Sequence, residues 1–132
     1  MIELSLFLRR ALLADTIFSG VGAISMVLGA PLLAQLTELP ETLLRETGLF
    51  LILYTALVGW LATREMTAKA WIVIVIAGNA AWTVASLALL LSGAVNSNAF
   101  GEIFVVLQAI ATGVLAELQY LGLRRSRSAV VA

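Results

Sequence analysis

The chain has 132 residues, of which 61% are hydrophobic and only 12% charged, and its formal net charge is zero. Soluble domains are about 45–50% apolar and about 25% charged, so a chain this short cannot cover such an apolar surface with polar groups in water, and lipid is its expected solvent. Cysteine and histidine are both absent. That excludes disulfides, thiol redox chemistry, haem ligation by either residue and most zinc sites, and it removes the commonest acid–base group near neutral pH. A zero net charge gives no bulk attraction to nucleic acid, and nothing in the sequence calls for a cofactor or a resident metal.

Four apolar runs follow one another, at about 11–34, 47–63, 70–94 and 99–123. A helix needs about 20 apolar residues to cross a hydrocarbon layer of about 30 Å. Three runs reach that length and the second is within the tolerated range. The runs lack the strict polar–apolar alternation of a small barrel, and an open sheet would leave backbone groups unpaired in lipid. The expected fold is therefore an all-α integral membrane bundle of four transmembrane helices in one domain, residues 1–132. The first run has basic residues ahead of it, as a signal peptide does, but its best small-residue site is followed by Pro31, a poor residue just after a cleavage point.

Between the first two runs lies "QLTELPETLLRE", residues 35–46. Leu36, Leu39, Leu43 and Leu44 alternate there with Glu38, Glu41, Arg45 and Glu46. Pro40 suits the first turn of a helix. The segment reads as a short amphipathic stretch lying at the outer interface. The loop between the last two runs, "SGAVNSNAFG", reads as a turn. Arg9, Arg10, Arg64, Lys69, Arg124, Arg125 and Arg127 fall on one side of the four spans and Arg45 alone on the other. Positive residues favour the cytoplasm, so both termini are expected there. Trp71 and Tyr120 fit the aromatic belt of that interface.

The chain also repeats itself. "DTIFSGVGAISMVLGA" (15–30) lies over "NAAWTVASLALLLSGA" (79–94) at an offset of 64, matching Asp15 to Asn79, Ser19 to Thr83 and Gly29 to Gly93. The second and fourth spans align more weakly, at an offset of 53. The unit is then a helical hairpin, and two parallel copies enter from the same side. At about 100° per residue, Asp15, Ser19, Gly22, Met26 and Gly29 share one helix face, as do Asn79, Thr83, Ser86, Leu90 and Gly93. Such stripes either pack against each other at the bundle centre or line a hydrated path or ligand pocket.

Depth separates the two polar leaders. Asn79 lies ten residues past Lys69, about 15 Å at the helical rise, near the bilayer middle. Asp15 lies five residues past Arg10, about 7.5 Å, so it is expected nearer the cytoplasmic headgroups. A charge at the bilayer centre costs at least about 2.5–3.5 kcal/mol, and Asp15 is tolerable if shallow, paired or protonated. Glu117, Arg64 and Arg10 lie at comparable depth. The four together would make either an ion-pair network that fixes helix register or a carboxylate pair that binds protons or cations. On the fourth span Gln108, Thr112 and Gln119 share a face while Glu117 points nearly opposite Gln108. The indole of Trp82 is expected to find Asn79 or a carbonyl.

The runs "LRRALLADTIFSG" and "AELQYLGLRR" resemble a family of small four-span bacterial inner-membrane proteins of uncharacterised function. The resemblance covers most of the chain and implies that architecture and a bacterial inner-membrane location, without a mechanism. In size and span number the chain is also similar to DoxX-like proteins and to small multidrug-resistance transporters. Those transporters carry a glutamate in span one and form antiparallel dimers, whereas here the acid is Asp15 and the charge bias argues against antiparallel assembly.

The leading expectation is a protein that binds or passes a small solute, ion or lipid along the polar stripes, with Asp15, Ser19, Asn79, Thr83, Gln108 and Glu117 as binding candidates and Arg10 and Arg64 as ion-pair candidates. Four helices leave little room for a pore, so a path needs either further subunits of a homo-oligomer or a groove. The alternative is an accessory or scaffold subunit packed on a membrane-protein partner. No Ser/His/Asp set, zinc motif or phosphate loop is present, so an intramembrane enzyme is not expected.

Overall fold

The computed structural model describes residues 1–128. Among these, the order is β1 (Ile2–Glu3), α1 (Leu6–Leu28), α2 (Ala30–Thr37), α3 (Glu41–Ala62), β2 (Met66–Thr67), α4 (Lys69–Leu91), α5 (Ala99–Arg125) and β3 (Arg127–Ser128). The four long helices α1, α3, α4 and α5 are long and apolar enough to cross a membrane. The protein is a four-helix membrane bundle.

The helices pair as hairpins. α1 packs along α3 and α4 along α5, and the two hairpins join through α1 against α5. Without a hydrophobic driving force between helices in lipid, such contacts depend on close van der Waals approach. Gly122 of α5 supplies one: a Cβ there would stand 2.7 Å from the Cα of Leu8. Gly48 of α3 supplies another, where a Cβ would stand 2.8 Å from the Cβ of Met26. Gly22 and Gly29, which mark the small-residue stripe in the sequence, bring no two helices into close contact. The nearest atom to a Cβ at Gly22 is Leu51 Cδ1 at 3.8 Å, and Gly29 is the C-cap of α1.

One end of the bundle is tied by strands. β1 lies between β2 and β3, antiparallel to both, with Ile2 opposite Thr67 and Ser128. The N-terminus, the α3–α4 loop and the chain after α5 therefore meet at one end, together with Arg9, Arg10, Arg64 and Lys69. Two-residue strands carry no periodicity that a sequence can display. Below them lies the main core, built on Leu8, Leu12, Val58, Leu61, Ile72 and Val75, all fully buried.

The other end is arranged differently from expectation. The first apolar run does not form one span over 11–34. α1 starts earlier, at Leu6, because Ser5 caps it by accepting the Leu8 N–H at 3.1 Å. It stops at Gly29, and Pro31 starts α2, in the first-turn position where a missing N–H costs nothing. The stretch 35–46 is likewise not one interfacial segment. Glu38 adopts the left-handed conformation and ends α2, Pro40 is the N-cap of α3, and Glu41–Glu46 form the first turns of that span. The exposed Glu41–Arg45 pair at 2.8 Å lies one helical turn apart on it. α2 folds down onto α5: Asn98 donates to the Leu36 carbonyl at 2.9 Å and caps α5 through the Gly101 N–H at 2.8 Å.

Candidate functional site

Asp15 is the organising residue of the interior, and it is completely buried. Ser19 of the same helix donates to its Oδ1 at 2.9 Å. Three donors converge on Oδ2 from the other three spans: Tyr54 of α3 at 2.9 Å, Asn79 of α4 at 2.8 Å and Gln119 of α5 at 2.7 Å. Asn79 also donates to Gln119 Oε1 at 2.9 Å. Four donors are within reach of the acceptor oxygens of Asp15. One carboxylate thus joins all four transmembrane helices.

The expected difference in depth between Asp15 and Asn79 does not hold, since the two are hydrogen-bonded to each other. Because α1 begins at Leu6, Asp15 lies nine residues into the helix, level with Asn79, which lies ten residues past Lys69. The expected ion-pair cluster does not form either. Glu117, Arg64 and Arg10 are all exposed, and the pair between Glu41 and Arg45 is the sole salt bridge among the described residues. Arg64 lies over the Trp60 ring at 5.5 Å. Arg9, rather than Arg10, turns inward, donating to the carbonyls of Ala62 and of Arg64, the latter at 2.8 Å. It thereby satisfies acceptors left open at the end of α3.

The remaining candidates form a second polar group toward the α2 end. Thr83 donates to the Ala109 carbonyl at 2.8 Å and meets Thr112 at 2.7 Å. Gln108 accepts from the Trp82 indole at 2.6 Å and donates to Ser86 at 2.9 Å, so the indole partner is Gln108 and not Asn79. Sequence reasoning placed Asp15, Ser19 and Asn79 correctly as interior residues on facing stripes. It left out Tyr54 and Gln119 as site residues. A phenol at the middle of span two, eight residues from the end of α3, was the signal for Tyr54, and Gln119 shares a face with Gln108 and Thr112.

Above the Asp15 cluster the bundle is hollow. A groove of about 1270 Å³ runs between the four spans through the half of the molecule that bears α2. Ser19, Tyr54 and Asn79 form its floor, Gln108 and Thr112 lie on its wall, and Leu33 of α2 and Glu46 mark its far end. Asp15 itself is one side chain beneath the floor. Ile17, Phe18, Val21 and Phe50 line the groove and remain exposed. An apolar rim of this kind suits contact with hydrocarbon rather than water. Phe50 and Trp82 stack across it, with ring centroids 6.1 Å apart and planes at 4°. The groove is blind, since below its floor lies the fully buried core of Leu8, Leu12, Val58 and Val75.

Magnitudes indicate what the cluster is for. Interhelical hydrogen bonds in membranes average about 0.6 kcal/mol and reach about 1.7. The three from Tyr54, Asn79 and Gln119 thus contribute roughly 2–5 kcal/mol, against at least about 2.5–3.5 kcal/mol for burying the charge. The terms nearly cancel, so stability alone does not account for an acid at this position.

Compared with known proteins, the chain matches no family model, no curated protein and no solved structure.

Proposed function

We propose that this chain is a multi-pass protein of a bacterial inner membrane, with both termini cytoplasmic, that binds a lipophilic or amphiphilic small molecule reaching the groove sideways from the bilayer. The observation that carries this reading is the groove itself: about 1270 Å³, apolar at the rim, with a few fixed polar groups at its floor and wall. Binding sites for small molecules have this composition. The orientation rests on the basic residues gathered at the strand-tied end, which puts the groove in the outer half of the bilayer. Because the groove is blind, binding is favoured over conduction. The two hairpins are read as copies of one unit, supported by each folding on itself and by the hydrogen bond between the matched residues Asp15 and Asn79.

The test is binding of a neutral lipophile, such as a fluorescent fatty alcohol, to the protein in nanodiscs, scored above partition into empty discs. Saturable binding is expected for the wild type. Ala81→Trp, which fills the groove from an exposed position on its lining, is expected to abolish it while leaving the fold intact. Equal signal in wild type, variant and empty discs would contradict the reading. Purification with a stoichiometric protein partner that shields the groove from the probe would instead support the accessory role.

A further inference from the structure

The groove is chemically one-sided. Among the described residues no lysine or arginine lines it, and the single charged side chain on its wall is Glu46, at the α2 end. Beneath its floor lies Asp15, whose carboxylate has no cation within salt-bridge distance among the described residues. The three floor residues Ser19, Tyr54 and Asn79 each contact that carboxylate directly, so a ligand resting on them is one side chain away from a buried negative charge. Charges in a low-dielectric interior act over such distances far more strongly than in water. Higher on the wall, Phe50 and the Trp82 ring, with Phe18 and Phe104, present aromatic groups, whose faces attract cations.

We propose that the groove selects lipophilic cations: molecules with an apolar or aromatic body and one positive charge, lodged over Ser19, Tyr54 and Asn79 in the field of Asp15, with Glu46 as a second attracting charge at the rim. This rests on the reading of the groove as a binding site and adds the sign of the ligand's charge. The ligand supplies the countercharge that the chain itself does not provide for Asp15. It also accounts for an acid whose contribution to stability nearly cancels.

The experiment compares two probes of the same shape and opposite charge, tetraphenylphosphonium and tetraphenylborate, by equilibrium dialysis against the full chain in nanodiscs, with the neutral fatty alcohol as a third probe and empty discs as background. The cation is expected to bind at least about tenfold more tightly than the anion. Asp15→Asn is expected to remove most of that preference and Glu46→Gln a smaller part, each read as the ratio of cation to anion affinity. Glu46 is exposed, so its variant is expected to fold and the preference remains testable if Asp15→Asn does not. Equal affinity for the two ions, a preference for the anion, or binding of the neutral probe alone would overturn the cation proposal and leave the groove reading standing. Failure of all three probes would remove both. A cation preference unchanged in Asp15→Asn and Glu46→Gln would also overturn it, because the charges invoked would not be its source.

Discussion

The two halves of the bundle solve different problems with the same four helices. Toward the strand-tied end, Leu8, Leu12, Val58, Leu61, Ile72 and Val75 are fully buried and helices approach to backbone contact at Gly122. Toward the α2 end the same helices stand apart around a groove. Beyond it they are held by a second apolar cluster of Ala30, Leu39, Leu44 and Val105, by the close approach of Gly48 to Met26 and by the docking of Asn98 on α2. The Asp15 cluster lies at the boundary. In lipid, apolar side chains gain little by leaving hydrocarbon for a protein interior, so a helix pair closes only where small residues allow close packing. The cleft itself is lined by small residues, Gly22, Gly78, Ala81 and Ala85 among them, which leave space that no larger side chain fills, and an unfilled cleft costs little in lipid. The hollow half is the one available for a ligand.

A matched pair of glycine substitutions should break this comparison most forcefully. Gly122→Leu forces a side chain into the Leu8 backbone and is expected to destabilise by about 3 kcal/mol, read as a lowered midpoint of denaturant unfolding in micelles. Gly22→Ala, on the groove side, has 3.8 Å of room to Leu51 and is expected to change stability by less than about 0.5 kcal/mol. Similar losses for both would mean that the halves are equally packed.

At the boundary, Asp15→Ala strands four donors without an acceptor and is expected to cost about 2 kcal/mol. Asp15→Asn restores one acceptor and should recover part of the loss. If Ala and Asn behave alike, the cluster is not a shared acceptor site. Thr55 gives a smaller and opposite effect. Its hydroxyl is the one buried side-chain polar atom without a partner among the described residues, so Thr55→Val, which removes the orphan and keeps the shape, should leave stability unchanged or raise it by up to about 1 kcal/mol. The smallest effect belongs to the exposed Glu41–Arg45 pair: Arg45→Ala should shift the midpoint by no more than about 0.5 kcal/mol, and less still in high salt.

Much of the scaffold was readable in the residues. Four apolar runs announce four spans, and the interior positions of Asp15, Ser19 and Asn79 follow from helical periodicity on facing stripes. What failed did so for identifiable reasons. Hydropathy starts the first span after Arg10, but Arg9 and Arg10 are helical, and the Arg9 side chain folds back onto the end of α3. Counting from Arg10 rather than Leu6 sets Asp15 at a different level from Asn79 and beside Arg10, Arg64 and Glu117, which are exposed. Pro31 and Pro40 are plain in the sequence, but the left-handed Glu38 between them has no sequence signature strong enough to divide 30–46 into a short helix and the start of a span. Tyr54 and Gln119 reach Asp15 from 39 and 104 residues away, a convergence set by helix crossing rather than by any local pattern. The groove is an absence of contacts, which periodicity cannot display.

The central claim is that the hollow half opens to lipid while the boundary cluster closes it below. Trp82 stands in that groove, and the other two tryptophans, Trp60 and Trp71, are exposed at the strand-tied end. The most direct measurement is fluorescence of a variant carrying Trp60→Phe and Trp71→Phe, in bilayers whose acyl chains are brominated near the bilayer middle. Strong quenching of Trp82 by the bromolipids, little quenching by aqueous acrylamide, and loss of the bromolipid effect on adding Ala85→Phe to fill the groove are the predicted results. Quenching by acrylamide instead, or bromolipid quenching that the filling substitution leaves unchanged, would contradict a lipid-accessible groove.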